Sequence, residues 1–213
     1  ELEIARGLLA KDPTVLGLVK NDFQSRSGRA DSTYGQSASD LQPLGISAKA
    51  ETTVTIYAQL PEGETVSVVP TQYYGESGIW RGTSVQLRNG RNHIYIPKIG
   101  SLTDPRGGPL YVTYSGANPE QIKLHVIPSN NAVEIPVLEL SNWYGMDGVA
   151  QRAAISAYVT ELEAHVAKNG TNPETNVFNT TEISTPSVLL SLPANKILDG
   201  LGTDKAETMY QNI

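Results

Sequence analysis

The sequence predicts a mainly β protein with appended helices, built on an antiparallel β-sandwich or jelly-roll-like body. Three observations carry this. Between residues 44 and 140, apolar and polar residues alternate in about eight short runs bounded by Gly, Pro, Asn or Asp. On either side of that region the spacing changes to the three-and-four step of helices. With 19 Gly and 13 Pro in 213 residues, the chain has the turn formers that a many-stranded body needs. The expected division is a helical lead-in and polar linker over 1–42, a sandwich over 43–140, and a helical segment over 141–213 that leads into a truncated next domain.

At the start, Leu2, Ile4, Leu8 and Leu9, then Val15, Leu16, Leu18, Val19 and Phe23, lie on either side of Asp12-Pro13-Thr14. This predicts two short N-terminal helices, the second capped by Asp12 with Pro13 in its first turn. Residues 24–42 read as a polar Gly/Ser linker, too poor in apolar residues to order itself without help. From Pro43 the period is two. Val54, Ile56, Ala58 and Leu60 face one way, and Thr53, Thr55, Tyr57 and Gln59 the other.

Pro61-Glu62-Gly63-Glu64 turns the chain into a strand over 65–69, and further strands are expected at 83–88, 91–97, 109–115, 120–128 and 132–139. Asn89-Gly90 reads as a type I′ hairpin turn. Gly107-Gly108-Pro109 launches a half-buried strand, with Leu110, Val112 and Tyr114 on one side and Tyr111 and Thr113 on the other.

A long helix is expected over 146–168, with a stripe of Val149, Ala153, Ser156, Ala157, Leu162 and Val166 and a stop at Gly170. A loop over 169–179, a short strand over 187–192 ended by Pro193 and a short helix over 194–200 follow. Residues 204–213 begin one more helix that runs out of chain.

Composition narrows the function. Sixteen basic against 22 acidic residues give a net charge of −6, so neither nucleic acid nor an anionic membrane is expected as the partner. Arg81, Arg88, Arg91, Lys98 and Arg106 are the one local basic concentration, and Gly, Asn and Thr dilute it. The absence of cysteine excludes a disulfide framework and a thiolate metal site. No apolar run approaches the roughly 20 residues of a membrane span. The chain opens on Glu1 rather than Met and shows no signal peptide, so the true start is expected to have been removed, by processing or otherwise.

Chemistry-bearing residues are sparse. His93 and His125 lie in expected strands without partners at ligand spacing, and read as exposed or satisfied strand histidines. Glu161 and His165 share a helix face four residues apart, which reads as a surface helix pair because two ligands do not make a metal site. The zinc-protease signature His-Glu-x-x-His is absent, as are the nucleophile elbow and the phosphate-binding loops. Glu62, Glu64, Glu76 and Asp104 fall in turns, without a spacing that sets two carboxylates across a cleft. Asn169-Gly170-Thr171 and Asn179-Thr180-Thr181 are glycosylation-type triplets.

The candidate binding surface is the loop from Tyr73 to Gly82. Tyr73, Tyr74 and Trp80 could stack on sugar rings while Glu76 and Arg81 bond hydroxyls. The rival reading, which the residues favour, has Trp80 capping the end of the sandwich core.

Several segments, taken in order, resemble the region just upstream of the catalytic core in enhancin-like zinc metallopeptidases, the gluzincins that include mucin-degrading enzymes. They are Leu44-Gly45-Ile46 leading into Glu62-Gly63-Glu64-Thr65-Val66; Gly107-Gly108-Pro109-Leu110-Tyr111-Val112; Glu134-Ile135-Pro136-Val137-Leu138-Glu139-Leu140; Tyr158-Val159-Thr160-Glu161-Leu162-Glu163-Ala164-His165; and Val188-Leu189-Leu190-Ser191-Leu192-Pro193-Ala194. The likeness covers about residues 43–200 and rests on their order and spacing together.

The resemblance implies that this is the non-catalytic N-terminal portion of a secreted or surface bacterial metallopeptidase acting on glycoproteins such as mucins. No catalytic residue and no cofactor are expected in this chain, and zinc belongs to the parent's missing catalytic domain. The implied partners are that adjacent catalytic domain and a host glycoprotein or glycan. The alternative is a stand-alone carbohydrate-binding or adhesive module with the aromatic loop as its site.

Overall fold

The computed structural model describes residues 18–20, 23–25, 30–31, 36–37, 40–72, 81–99, 106–171, 176–185 and 188–213. Fourteen strands occur among them. They are β1 (Leu18–Lys20), β2 (Ala30–Asp31), β3 (Gln36–Ser37), β4 (Leu41–Lys49), β5 (Thr52–Gln59), β6 (Val66–Pro70), β7 (Val85–Gln86), β8 (Gly90–Ile96), β9 (Gly107–Tyr114), β10 (Lys123–Ile127), β11 (Ala132–Glu134), β12 (Val137–Glu139), β13 (Thr180–Ser184) and β14 (Leu189–Pro193). Three helices follow β12: α1 (Gly148–Asn169), α2 (Ala194–Gly200) and α3 (Lys205–Asn212). The chain divides into two compact units, one ending at Glu134 and the other beginning at Ile135.

In the first unit two antiparallel sheets, ordered β1-β10-β5-β8 and β11-β4-β9-β6-β7, share one apolar core. Val54, Ile56 and Ala58 of β5, Ile94 and Ile96 of β8, and Leu124 and Val126 of β10 come from one sheet; Leu44, Ile46, Val66, Val68, Leu110 and Val112 come from the other. The period-two expectation for β5 therefore holds, and the body is a sandwich. Strand β9 differs from its half-buried reading, because Tyr111 as well as Leu110 and Val112 is buried. It lies between β4 and β6, and an interior strand has less solvated surface than an edge.

Glycine geometry is decisive at two points. The β4–β9 register shifts between Pro43 and Ser47, and Gly45 sits there at φ 77°. Through this irregularity Leu44, Ile46 and Ala48 keep the alternation that sends them all into the core. At the start of β9, Gly107 has φ 83°, and a Cβ there would collide with the backbone of Ala48, Lys49 and Ala50.

Four expectations are corrected in this unit. The second N-terminal helix is not continued by residues 18–20, which form strand β1 against β10, with Leu18 opposite Val126; an exposed β10 edge competes for the same residues. Residues 1–17 lie outside the described residues. The linker assigned to 24–42 contains the β2–β3 ladder and the first two residues of β4. Its help comes from Phe23, buried in the core, and from Gln42, whose amide accepts from Gln24 N (2.8 Å) and donates to Gln24 O (2.7 Å).

Asn89-Gly90 does not close a type I′ hairpin. Gly90 is at φ 89°, but Glu51 is the non-glycine residue at positive φ among the described residues. Moreover β7 pairs with β6 and β8 with β5, so the turn carries the chain from one sheet to the other. The Asn92 side chain holds the crossing, accepting from Arg88 N (2.9 Å) and donating to Arg88 O (2.8 Å) and Gly90 O (3.0 Å). Finally, the strand expected over 132–139 is two strands in different sheets.

The second unit is a three-stranded sheet, β12-β13-β14, with β12 parallel and β14 antiparallel to β13. Strand β13 is absent from the sequence expectations, since Thr180, Thr181, Glu182 and Ser184 give it a polar appearance. Helix α1 begins at Asp147, whose side chain accepts from Ala150 N (2.8 Å), and ends at Gly170, whose N–H bonds Val166 O.

Its buried face is Ile155, Tyr158, Val159, Leu162 and His165, not the stripe through Val149, Ala153, Ser156 and Ala157, all of which are exposed. Both stripes have helical spacing, and the one with the larger side chains removes more apolar area from water. Leu138, Leu140, Ala194 and Met209 complete that core.

Candidate functional site

Of the residues proposed to contact a ligand, Tyr73, Tyr74, Glu76 and Trp80 lie outside the described residues. What is described is the base of their loop. Thr71 and Arg81 form an antiparallel bridge beyond β6, and Gly82 N donates to Pro70 O (2.9 Å). Thr71 Oγ1 donates to Pro109 O (2.6 Å), tying the same point to β9. Arg81 makes a two-pronged ion pair with Asp40, with Nη1–Oδ1 at 3.2 Å and Nη2–Oδ2 at 3.4 Å. The two side chains are 39% and 34% exposed, so this pair contributes little stability and leaves the guanidinium partly open to solvent.

The structure also gathers a polar group that the sequence left scattered. Glu64 accepts from the Tyr114 hydroxyl, from Asn118 Nδ2 (2.7 Å) and from Ala117 N (3.1 Å), while Asn118 N donates to the Tyr114 oxygen (2.6 Å). The Tyr114 hydroxyl bond, chiefly, holds the Glu64 carboxyl below its ordinary range. Desolvation, followed by the bond to Glu64, pushes the Tyr114 hydroxyl up. A carboxylate kept ionised beside a phenol kept protonated is a fastening for the segment after β9, not an acid–base pair poised for neutral pH. Its sequence signal was Glu64 following a turn glycine, but nothing local connects it with residues fifty positions away.

The histidines divide. His93 is exposed on β8, its Nδ1 3.2 Å from Thr55 Oγ1, and His125 is buried on β10. The surface pairing of His165 with Glu161 is corrected: His165 is buried, with Nε2 2.6 Å from Phe178 O and Nδ1 3.3 Å from Asn169 Nδ2. Its ring ties α1 to the segment before β13, and burial lowers its pKa. One glycosylation-type triplet is also removed, because Asn179 is fully buried and its side chain bonds Asn195 at both ends (2.9 and 3.0 Å). Among the described residues no three of His, Cys, Asp and Glu come together to hold a metal ion.

No family model matches the chain, and no curated protein matches it. Solved structures do. The ZmpB metallopeptidase from Clostridium perfringens superposes with a TM-score of 0.56 at 26% identity, over 77% of this chain and 31% of that one. The M60 catalytic domain of Clostridium perfringens ZmpC, solved in complex with the sialyl T antigen, gives 0.55 at 27% over the same shares. A larger ZmpB structure comprising CBM32-1, CBM32-2 and the M60 catalytic domain gives 0.57 at 26%, over 77% of this chain and 16% of that one.

The chain is structurally similar to M60-like metallopeptidase domains. It spans less than a third of the length of each of these M60-like chains. The described residues do not supply the zinc site that such a peptidase implies, so no hydrolytic step is assigned to them. No described helix is long and apolar enough to cross a membrane.

Proposed function

We propose that this chain is the non-catalytic N-terminal portion of a secreted or cell-surface bacterial zinc metallopeptidase of the M60-like type, acting on glycoproteins such as mucins. The observation that carries the reading is the superposition of 77% of the chain on part of a single M60 catalytic domain. The sandwich and the α1 unit then serve as the scaffold that positions the catalytic residues, while the zinc ligands and the general base belong to polypeptide outside these 213 residues. The 73–80 loop, pinned at its base by the Thr71–Arg81 bridge, is where substrate glycan would be touched, with Tyr73, Tyr74, Glu76, Trp80 and Arg81 as the contacting residues.

Metal analysis and a mucin-cleavage assay test the main reading. The 213-residue chain is expected to retain no stoichiometric zinc and to cleave nothing, whereas the full-length parent carries one equivalent and cleaves. One tightly held equivalent in the 213-residue chain sinks it. Glycan contact is tested separately with Trp80→Ala, which abolishes glycan binding at an unchanged melting temperature. A loss of about 3–5 kcal/mol of stability would instead make Trp80 a core ring.

A further inference from the structure

Strand β14 is an edge of the second unit's sheet, since the order is β12-β13-β14. Among the described residues, Leu189–Pro193 pairs with β13 on one side only, from Ser184 opposite Leu189 to Thr180 opposite Pro193. Alternate backbone N–H and C=O groups of an edge strand point away from the sheet. None of its five residues is buried, although Thr180, Thr181, Glu182 and Ser184 of its neighbour are fully buried. Leu190 is 43% exposed, and Val188 just before the strand is 48% exposed. Free edges are ordinarily protected by lysine, inward-pointing charge, a bulge or proline. Here the strand reads Leu-Leu-Ser-Leu-Pro, so only Pro193 at its far end offers such protection.

We propose that β14 is a docking edge, along which polypeptide from beyond residue 213 of the parent adds a strand and covers Val188 and Leu190. This rests on the reading of the chain as part of a larger metallopeptidase. Two observations point to that occupant. In the similar structures most of each chain lies outside the matched region, so ample further polypeptide is present to cover this edge. Among the described residues, the exposed large hydrophobics are Tyr95 in the first unit but Tyr144, Val149, Val188, Leu190 and Ile213 in the second. The unit that leaves more of its large apolar side chains exposed is the one that carries β14. The added strand needs apolar residues at alternate positions, to meet Leu190 and Leu192 on one face of the sheet.

Hydrogen–deuterium exchange of peptides spanning 188–193, measured in the 213-residue chain and in the full-length parent, tests this. Exchange is expected to be at least about tenfold slower in the parent, with β13 peptides equally protected in both. Equal exchange of 188–193 in the two proteins overturns the proposal. So does protection in the 213-residue chain that grows with its concentration, which would make a second copy the occupant.

Leu190→Lys supplies a second readout. It shifts the Tm of the 213-residue chain by no more than about 2 °C but lowers that of the parent by about 4 °C or more; equal shifts count against docking. A parent that holds zinc and cleaves mucin while β14 exchanges freely removes the docking edge alone. A protected β14 in a parent without zinc or cleavage removes the functional reading alone.

Discussion

In the unit that ends at Glu134 the inward faces of two sheets meet over a core of aliphatic residues, Phe23 and Tyr114, and the polar residues buried around it act as stitches. Gln42 clamps Gln24, Asn92 closes the crossing at 88–92, and Thr71 ties the loop base to Pro109. The unit that begins at Ile135 reverses the balance. It fully buries Asn179, Thr180, Thr181, Glu182 and Ser184 along one short stretch, yet leaves Tyr144 at 96% and Val149 at 80% exposure. A sandwich seals its apolar surface between its own sheets. A three-stranded sheet with one long helix buries one side of that helix and leaves Val149 on the other in water. The difference is one of exposure: among the described residues, the first unit hides nearly all its large apolar side chains, and the second leaves several in contact with water.

The strongest way to break that comparison is to hollow each core in turn. Leu124→Ala in the sandwich and Leu162→Ala under α1 remove side chains that are fully buried, and each is expected to cost about 2–5 kcal/mol. If the units are separately cohesive, calorimetry shows each substitution moving a different transition. A single transition moved equally by both would make them one cooperative body. Next in size is a glycine pair. Gly107→Ala drives a Cβ into the backbone around Ala48 and should cost about 2–4 kcal/mol, measured by urea denaturation. Gly63→Ala, at φ 74° with open space around it, should cost only about 1–2 kcal/mol.

A pH series sharpens the contrast from the second unit. Burial lowers the His165 pKa, so below about pH 6.5 the unfolded chain takes up a proton that the folded ring resists. Stability is therefore fully present above that value and declines as the pH falls through it, while His165→Gln flattens the decline in a series of melting temperatures. The smallest effect belongs to the first unit's surface. Arg81→Ala removes the exposed pair with Asp40 and should change stability by about 0.2–1 kcal/mol, less again at high salt. A larger loss would mean that the pair anchors the loop base.

Much of the architecture was legible because it is local. The alternation of Val54, Ile56 and Ala58, the turn at Gly63, the Gly170 stop and the helix over Ala194–Gly200 each follow from a few neighbouring residues and stand in the structure as read. Polar strands were not legible. Thr180–Ser184 carries no apolar alternation, and its burial depends on a helix and two strands from elsewhere in the chain. The site was less legible still: the Arg81–Asp40 pair spans forty-one positions, and the group of Glu64, Tyr114 and Asn118 spans fifty-four. The segments that resemble enhancin-like peptidases did point to the M60-like fold, since their order along the chain survives even where each one is weak.

By itself, then, the sequence determined the β-rich body, the places where it turns, the long helix and the absence of a His-Glu-x-x-His motif, all properties written in short-range spacing. Tertiary structure alone decided that Asn89-Gly90 joins two sheets rather than two strands of one. It also selected the buried face of α1, drew His165 into the interior and set β14 at the end of its sheet among the described residues. Turn chemistry and periodicity act over a few residues, whereas the choice between two equally spaced faces, or between an inner and an end position in a sheet, is made by how much apolar surface each arrangement hides once the rest of the chain is in place.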